Sequence, residues 1–222
     1  FKVKVDFQDC ETSVEPYFLG YWLGDGNSHN VGITTADDEI ARYLLDFCDR
    51  NGLELTLRGD YSYSIKIKDG GRGSRNPITK KMRELNLINN KHIPDLYLIN
   101  SRENRLQLLA GLLDSDGNFR HGTFKISSIY RHLGLQIKRL ADGLGFHTRF
   151  HESNNFNKKL GRKYYNCYVV IGGRVDEIPT KIKRKQSKFN ENKSSNKLDF
   201  SDIESGENVT VHSALKIESL GR

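Results

Sequence analysis

The sequence has few of the residues that build disulfide-linked or zinc-binding domains. Its 222 residues include only three cysteines, Cys10, Cys48 and Cys167, which lie far apart and form no Cys-x-x-Cys motif. An odd number of widely spaced cysteines argues against a disulfide framework and against a zinc site with paired ligands. We therefore expect free thiols, as in proteins of reducing compartments.

Long apolar runs are missing as well. No stretch reaches the roughly 18 apolar residues that a membrane-spanning helix needs, and no secretory signal opens the sequence. The first residue is Phe1 rather than Met, so we take the sequence as a fragment or a processed form. We expect an intracellular protein without membrane association, nuclear or cytoplasmic depending on its host.

Positive charge, in contrast, is abundant. Lysine and arginine number 35 against 28 acidic residues, which gives a formal net charge of +7. Such an excess favours a polyanionic partner, because neutralising phosphates releases counterions. On charge alone, a soluble basic protein without such a partner remains the alternative.

One nine-residue pattern occurs twice, at 18–26 and again at 109–117. Each copy is an apolar run with small residues four positions apart, and each ends in an acidic residue followed by glycine. Residues four apart lie on one face of a helix, and a face of small residues lets two helix backbones approach closely. The repeat therefore predicts two helices that pack together and bring Asp25 and Asp116 to one place.

Two carboxylates at helix C-termini face an unfavourable field, because that end of the helix dipole is already negative. A divalent cation would relieve the repulsion, and Mg²⁺ prefers open, oxygen-rich, negative sites. We predict a metal site formed by Asp25 and Asp116 with the preceding Gly24 and Ser115, occupied by Mg²⁺ with Mn²⁺ as a substitute. Asp114 has Leu23 at its equivalent position in the first copy, so we interpret Asp114 as a local polar or capping residue.

The same order of elements follows each copy, which indicates an internal duplication. Helices are predicted at 12–25, where Thr12 to Glu15 fits a capping box, and at 37–51, 76–87, 101–116, 129–144 and from Pro179 onward. Strands are predicted at 31–35, 53–58, 61–68, 123–128, 146–151 and 164–171. We divide the chain into a first half at 12–97, a second half at 98–188, and a polar arm with an isolated strand at 189–222.

These motifs resemble the LAGLIDADG homing endonucleases. The likeness implies an α+β fold of tandem, pseudo-two-fold αββαββα repeats with saddle-shaped antiparallel sheets. It also implies a monomer that binds double-stranded DNA at a long asymmetric site. Such an enzyme cuts both strands with a divalent metal and leaves short 3′ overhangs, and Asp25 and Asp116 would be its catalytic metal ligands.

The segment Asn90-Lys91-His92-Ile93-Pro94 resembles the intein-borne branch of this family. The likeness implies that Lys91 is a catalytic-site lysine near the scissile phosphate. The equivalent lysine of the second half falls in the basic run that follows Pro179; Lys185 and Lys183 are the candidates, with Lys188 as a further possibility. The strand predicted from Val209 would then be a remnant of a splicing module.

Basic and aromatic residues on the predicted hairpins are candidates for DNA contact, since alternation leaves one sheet face open to the groove. Loops at 70–75 and 155–163 are expected to hold backbone phosphates. The first-half candidates are Arg58, Tyr61, Tyr63, Lys66, Lys68, Arg72 and Arg75, and the second-half candidates are Lys125, Arg149, His151, Lys158, Tyr164 and Tyr168.

Two other functions stay open at this point. One is a binding module on the same fold that has lost cleavage, such as an RNA maturase or a DNA-binding regulator. The other is a basic two-domain protein unrelated to nucleases, which would show no metal-dependent thermal shift and whose nucleic-acid binding would not depend on salt.

Overall fold

Two buried helices with equivalent sequences form the centre of the molecule. The computed structural model describes residues 2–68, 76–157, 161–186 and 209–210. Its helices are α1 (Pro16–Asp25), α2 (Asp38–Arg50), α3 (Pro77–Glu84), α4 (Asp95–Leu98), α5 (Arg102–Asp116) and α6 (Arg131–Gly143). Its strands are β1 (Lys2–Val3), β2 (Ile33–Thr34), β3 (Leu53–Leu57), β4 (Ser62–Ile67), β5 (Gly117–Arg120), β6 (Thr123–Ser128), β7 (His147–Asn157), β8 (Arg162–Gly172) and β9 (Val209–Thr210).

Helices α1 and α5 pack backbone against backbone along their small residues. A Cβ atom added to Gly20 would lie 2.1 Å from the Leu108 carbonyl oxygen, and one added to Gly111 would lie 2.2 Å from the Tyr17 carbonyl oxygen. The two contacts join equivalent positions of the two motifs, as a pseudo-two-fold axis requires. The close helix pair predicted from the repeated small residues is present.

Each half adds an antiparallel sheet to this helix pair. The first sheet has the order β2-β4-β3 and the second has the order β5-β6-β8-β7. Alternate strand residues such as Leu53, Ile65, Phe124, Ile126 and Val169 are buried, so one face of each sheet packs on the helices and the other is open. The predicted fold class, α+β with antiparallel sheets, is confirmed.

The two halves are not identical in their details. β7 and β8 pair over their full eleven-residue lengths, whereas β3 and β4 pair over five residue pairs. The strand β5 corresponds in the first half only to an isolated bridge between Gly26 and Ile33. The second sheet accordingly has more strands, and its two longest strands exceed any in the first sheet.

Several sequence-based boundaries need correction. The helix expected from Thr12 begins at Pro16, and its N-cap Glu15 makes no side-chain capping bond. Where a helix was expected from Pro179, the described residues to 186 form one short 3₁₀ turn, Lys183–Lys185, and another such turn, Val175–Glu177, lies just before Pro179. The loop expected at 155–163 is largely strand, because β7 continues to Asn157 and β8 begins at Arg162.

The division into halves at 12–97 and 98–188 stays a prediction, as does the arm at 189–222, of which the described residues include only β9. This short strand pairs with β1 through Lys2 with Thr210 and Val3 with Val209. Within the described ranges, no helix is long and apolar enough to cross a membrane.

We expect Gly111→Ala to destabilise the fold severely. The new methyl group would meet backbone atoms of α1 at 2.2 Å and 2.7 Å, and backbone cannot swing aside as a side chain can. Overpacking of this kind costs about 1–3 kcal/mol or more, which thermal unfolding would register as a loss of roughly 3–10 °C.

The control is Gly172→Ala, whose added methyl group meets its nearest atom, Cγ2 of Thr123, at an ordinary 3.4 Å. Equal melting temperatures for the two variants would show that α1 and α5 are not in backbone contact.

A candidate metal and phosphodiester site at the helix ends

The two motif helices end side by side. Asp25 is the last residue of α1 and Asp116 is the last residue of α5. A Cβ atom built on Gly24 would lie 3.0 Å from Oδ2 of Asp116, so this carboxylate reaches across to the end of the opposite helix. The structure thus brings together the two acidic residues that the sequence selected.

Both helices stop in the same way, at Gly26 and Gly117. Each glycine is extended, and its N–H donates to the carbonyl oxygen four residues earlier, Trp22 and Leu113 respectively. A side chain at either position would collide with those same residues, at 2.2 Å and 2.4 Å. The glycine after each acidic residue therefore allows the chain to leave the helix immediately after the carboxylate-bearing residue.

The two carboxyl groups are held in an environment that disfavours their charge. Burial raises the pKa of Asp25, and the neighbouring charge of Asp116 raises it further. Burial also raises the pKa of Asp116, although Asp116 as a whole residue is exposed. Lys91 and Lys185 oppose both shifts without cancelling them.

At each helix end, a lysine donates hydrogen bonds to the last backbone carbonyl groups. Lys91 Nζ donates to the carbonyl oxygens of Gly24 at 2.9 Å and Gly26 at 2.7 Å. The last carbonyls of a helix have no partner within it, and a cation there also offsets the negative end of the dipole. Burial lowers the pKa of Lys91, while Asp116 and Asp25 act to raise it.

Lys185 makes the equivalent contacts with α5. Its Nζ donates to the carbonyl oxygens of Leu113 at 2.9 Å, Asp114 at 2.6 Å and Ser115 at 3.2 Å. The residue is buried, and burial lowers its pKa against the raising effect of Asp114. Lys91 and Lys185 are therefore equivalent in position, one at the end of each motif helix.

The other lysine candidates are placed differently. Lys183, in the same 3₁₀ turn as Lys185, is exposed, and the contact recorded for it is a backbone N–H donated to Glu39 Oε1 at 3.4 Å. Lys188 lies outside the described residues. The sequence spacing selected the basic run that contains Lys185, but a run of charges does not reveal which of its members is buried.

Asp114 has a role that the sequence did not indicate. It is 1% exposed, accepts a hydrogen bond from the Tyr17 hydroxyl at 2.6 Å, and accepts another from the backbone N–H of Lys181 at 2.6 Å. Its contact with Tyr17 joins α5 to α1, and its contact with Lys181 fixes the segment that carries Lys185. The predicted capping role is thus corrected to a buried link between three segments.

The donor set suits a hard divalent cation. Mg²⁺ commonly binds one or two carboxylates and keeps water and phosphate oxygens as its remaining ligands. Asp25 and Asp116 supply two carboxylates that lack full charge compensation, and among the described residues no group of three or more His, Cys, Asp or Glu forms a closed metal site. The carbonyls of Gly24 and Ser115, predicted as metal-site residues, already accept hydrogen bonds from Lys91 and Lys185.

The sequence model of one protein family covers the segment that contains α5, Asp116 and Lys185, and it begins one residue after Lys91. That family is described as homing endonuclease, and its match spans residues 92–198. Residues 92–198 of this chain are thus similar to homing endonucleases. This match agrees with the resemblance seen in the repeated motifs.

Curated proteins that are similar to this chain include two helicases. The replicative DNA helicase DnaB of Mycobacterium intracellulare is 32% identical over 143 residues, which cover 64% of this chain and 21% of that protein. The ATP-dependent DNA helicase Hel308 of Thermococcus kodakarensis is 24% identical over 192 residues, covering 72% of this chain and 16% of that protein. The chain thus spans about a fifth or less of the curated relatives it matches.

Solved structures of the homing endonuclease I-DmoI are also similar to this chain. Its mesophilic variants match with 15% identity, 73% coverage of this chain, 83% coverage of that chain and a TM-score of 0.48. The crystal structure of I-DmoI in complex with DNA and Ca matches with the same identity and coverage and a TM-score of 0.47.

The second sheet carries its predicted DNA-contacting residues on the open face. Strand register places Lys125 beside Val170, Tyr168 beside His151, and Arg149 beside Val170, so these side chains project on the same side. Lys125 Nζ lies 3.8 Å from the centre of the Tyr168 ring, and the His151 ring stacks on that ring at 4.7 Å. Tyr164, 46% exposed, follows Tyr168 on this face.

The first sheet is less uniform. Lys66 pairs with Glu54 on the open face, and Arg58 and Lys68 are exposed. Tyr63 pairs with Leu57 on the other face and packs against the core, which corrects its grouping with Lys66. Tyr61 lies in the turn before β4 with a positive φ of 60° and is 60% exposed. The candidates Arg72, Arg75 and Lys158 lie outside the described residues.

We expect Asp25→Asn to stabilise the metal-free protein at neutral pH. A carboxyl whose folded pKa is raised costs no stability below its unfolded pKa, and costs progressively more as pH rises toward the folded value. Removing one carboxylate from a helix C-terminus recovers about 1 kcal/mol, so the melting temperature should rise by roughly 2–4 °C.

The matched control is Asp60→Asn, which removes the same charge from an exposed turn. Calorimetry from pH 4 to pH 8 should show that the advantage of Asp25→Asn grows with pH. Added Ca²⁺ should raise the melting temperature of the wild type more than that of Asp25→Asn. An advantage that is constant over this pH range would contradict the electrostatic account.

Proposed function

We propose that the chain is a site-specific double-strand DNA endonuclease of the LAGLIDADG type that uses Mg²⁺ or Mn²⁺. The observation that carries this proposal is the meeting of Asp25 and Asp116 at the ends of two equivalent helices, each with a lysine hydrogen-bonded to the carbonyl groups of the helix end. A single carboxylate pair with two symmetric lysines is suited to two phosphodiester bonds, one on each DNA strand. Its substrate is a long asymmetric duplex site, bound by a monomer and cut to leave short 3′ overhangs.

Each polar group at the helix ends has a task in this reaction. Asp25 and Asp116 would hold the divalent metal, which when bound supplies charge neutralisation and a more acidic water. Lys91 and Lys185 are fixed by carbonyl groups beside these carboxylates, where their ammonium groups would offset the negative charge that develops on the phosphoryl oxygens. The open sheet faces bind the duplex and set the position of the scissile bonds.

The chain is also proposed to come from an intein and to act inside the cell, where its DNA substrate is. The segment from Asn90 to Pro94 supports the intein origin. So does the match to only 21% of a replicative helicase, as expected for a domain carried within a host protein.

The rival function is nucleic-acid binding without cleavage on the same fold. A binding module has no need for two partly desolvated carboxylates that repel each other and cost stability. The presence of both carboxylates at the helix ends favours the enzyme, because a bound metal ion would offset their mutual repulsion.

The decisive variant is Asp116→Asn, for which we expect no cleavage and nearly unchanged DNA affinity. The amide keeps the size of the carboxylate but removes the charge that binds metal, while the sheet faces stay intact. A supercoiled plasmid library with randomised inserts, incubated with Mg²⁺ and wild-type protein, supplies the cut sites. A selected site then measures cleavage by gel and binding by fluorescence anisotropy in Ca²⁺.

Asp60→Asn serves as the control and should cut at the wild-type rate. Cleavage by Asp116→Asn within about tenfold of the wild type, a loss of only 1.4 kcal/mol in barrier terms, would refute the metal-ligand assignment. A wild type that binds the duplex but cuts no plasmid in Mg²⁺ or Mn²⁺ would favour the rival function.

Lys125→Ala and Arg149→Ala should each weaken DNA binding and lower the slope of log affinity against log salt by about one phosphate equivalent. The control Arg139→Ala removes the same charge from the exposed side of α6, the helix behind the second sheet. Anisotropy titrations at several salt concentrations measure the slopes. If the slope of log affinity against log salt for Lys125→Ala and Arg149→Ala equals that of the control Arg139→Ala, the open face of this sheet does not contact DNA.

A further inference from the structure

Each site lysine lies in a segment that is attached to the opposite half of the molecule. Lys91 belongs to the connection between α3 and α4, at the end of the first half. Two residues later, Ile93 donates its N–H to Gln136 Oε1 at 2.9 Å, and Gln136 Nε2 donates to the Ile93 carbonyl oxygen at 2.9 Å. Gln136 is on α6, in the second half, and the neighbouring His132 Nε2 lies 2.9 Å from the Lys91 carbonyl oxygen.

Lys185 is attached in the converse direction. The residue before it, Arg184, forms two hydrogen bonds with the carboxylate of Asp37, one of them at 3.0 Å between Nη2 and Oδ2. Asp37 immediately precedes α2, in the first half. Glu39 on the same helix accepts the backbone N–H of Lys183 at 3.4 Å.

We propose that Gln136 and Asp37 are positioning residues, Gln136 for Lys91 and Asp37 for Lys185, so that each half of the protein sets the reactivity of the other half's lysine. The inference rests on the proposed endonuclease function, in which each lysine serves one DNA strand. Neither residue lies among the groups that would bind metal or phosphate, and both act through the backbone or side chain of a lysine-bearing segment.

The local structure gives these contacts their importance. The chain from Asn90 to Pro94 has no regular secondary structure, so no helix or sheet bonds fix its path. Gln136 satisfies both backbone groups of Ile93 at once, and its removal would leave them unpaired beside the buried Ile93 side chain. Asp37 makes no capping bond to α2, so its side chain is committed to Arg184 rather than to the helix.

Lysine reactivity tests the positions without any DNA. In single-hit acylation followed by mass spectrometry, Gln136→Leu should raise the labelling of Lys91 about tenfold, the equivalent of losing one or two hydrogen bonds, with Lys185 unchanged. Asp37→Ala should do the reverse. Gln107→Leu and Asp38→Ala are matched controls at other sites on α5 and α2, and should alter neither lysine.

Strand-specific cleavage tests the consequence for the reaction. On a selected plasmid site with both strands labelled, Gln136→Leu should slow one strand about a hundredfold, as small misplacements of catalytic groups do, so that nicked circles accumulate. Asp37→Ala should slow the other strand. A structural role alone would slow both strands equally, and that result, or unchanged labelling of Lys91 and Lys185, would overturn the proposal.

The two proposals fail in distinguishable ways. If the wild type cuts no DNA, the proposed function fails, while labelling still decides whether Gln136 and Asp37 position the lysines. If the wild type cuts and both variants slow the two strands together, the function stands and the positioning roles are wrong.

Discussion

The backbones of α1 and α5 touch at Gly20 and Gly111, and the position of every charged group in the centre follows from that contact. Because the helices approach without side chains between them, their C-terminal ends meet and carry Asp25 and Asp116 together. The same geometry presents two sets of free carbonyls to Lys91 and Lys185. Any residue larger than glycine at the contact would separate the ends and disperse the site.

The helix ends carry two kinds of negative group, the backbone carbonyls and the carboxylates, and these suit different cations. The lysines neutralise the carbonyl ends of the helices, where an ammonium group finds several acceptors in one place. The pKa values of the two carboxyl groups stay raised despite these lysines, so the lysines do not fully compensate the negative charges of the carboxylates. The metal-free protein therefore gives up some stability, which a divalent ion and the phosphates it carries would restore.

The sequence predicted the central features because they depend on local chemistry. Small residues four apart define a helix face, and an acidic residue followed by glycine marks where the helix stops, so the pairing of Asp25 with Asp116 followed from the pattern. The strand alternation likewise placed Lys125, Arg149, His151 and Tyr168 on one face.

What the sequence could not supply depends on tertiary contacts. The choice of Lys185 over Lys183 follows from burial against α5, and the link formed by Asp114 requires Tyr17 and Lys181, which are distant in the chain. In place of the helix expected from Pro179, residues 181–184 form hydrogen bonds with Asp114, Asp37 and Glu39. Helix propensity alone does not predict that tertiary hydrogen bonds replace those of a helix in this segment.

A second pair of small residues in the contact between α1 and α5, Gly24 and Ser115, limits how the interface can change in evolution. A Cβ atom on Gly24 would lie 2.1 Å from the Ser115 hydroxyl, so the hydroxyl fits only because its partner has no side chain. The pair has room for one small side chain, and it does not matter to the packing which helix provides it. Exchanges at these two positions are therefore coupled, and related sequences should show them changing together rather than one at a time.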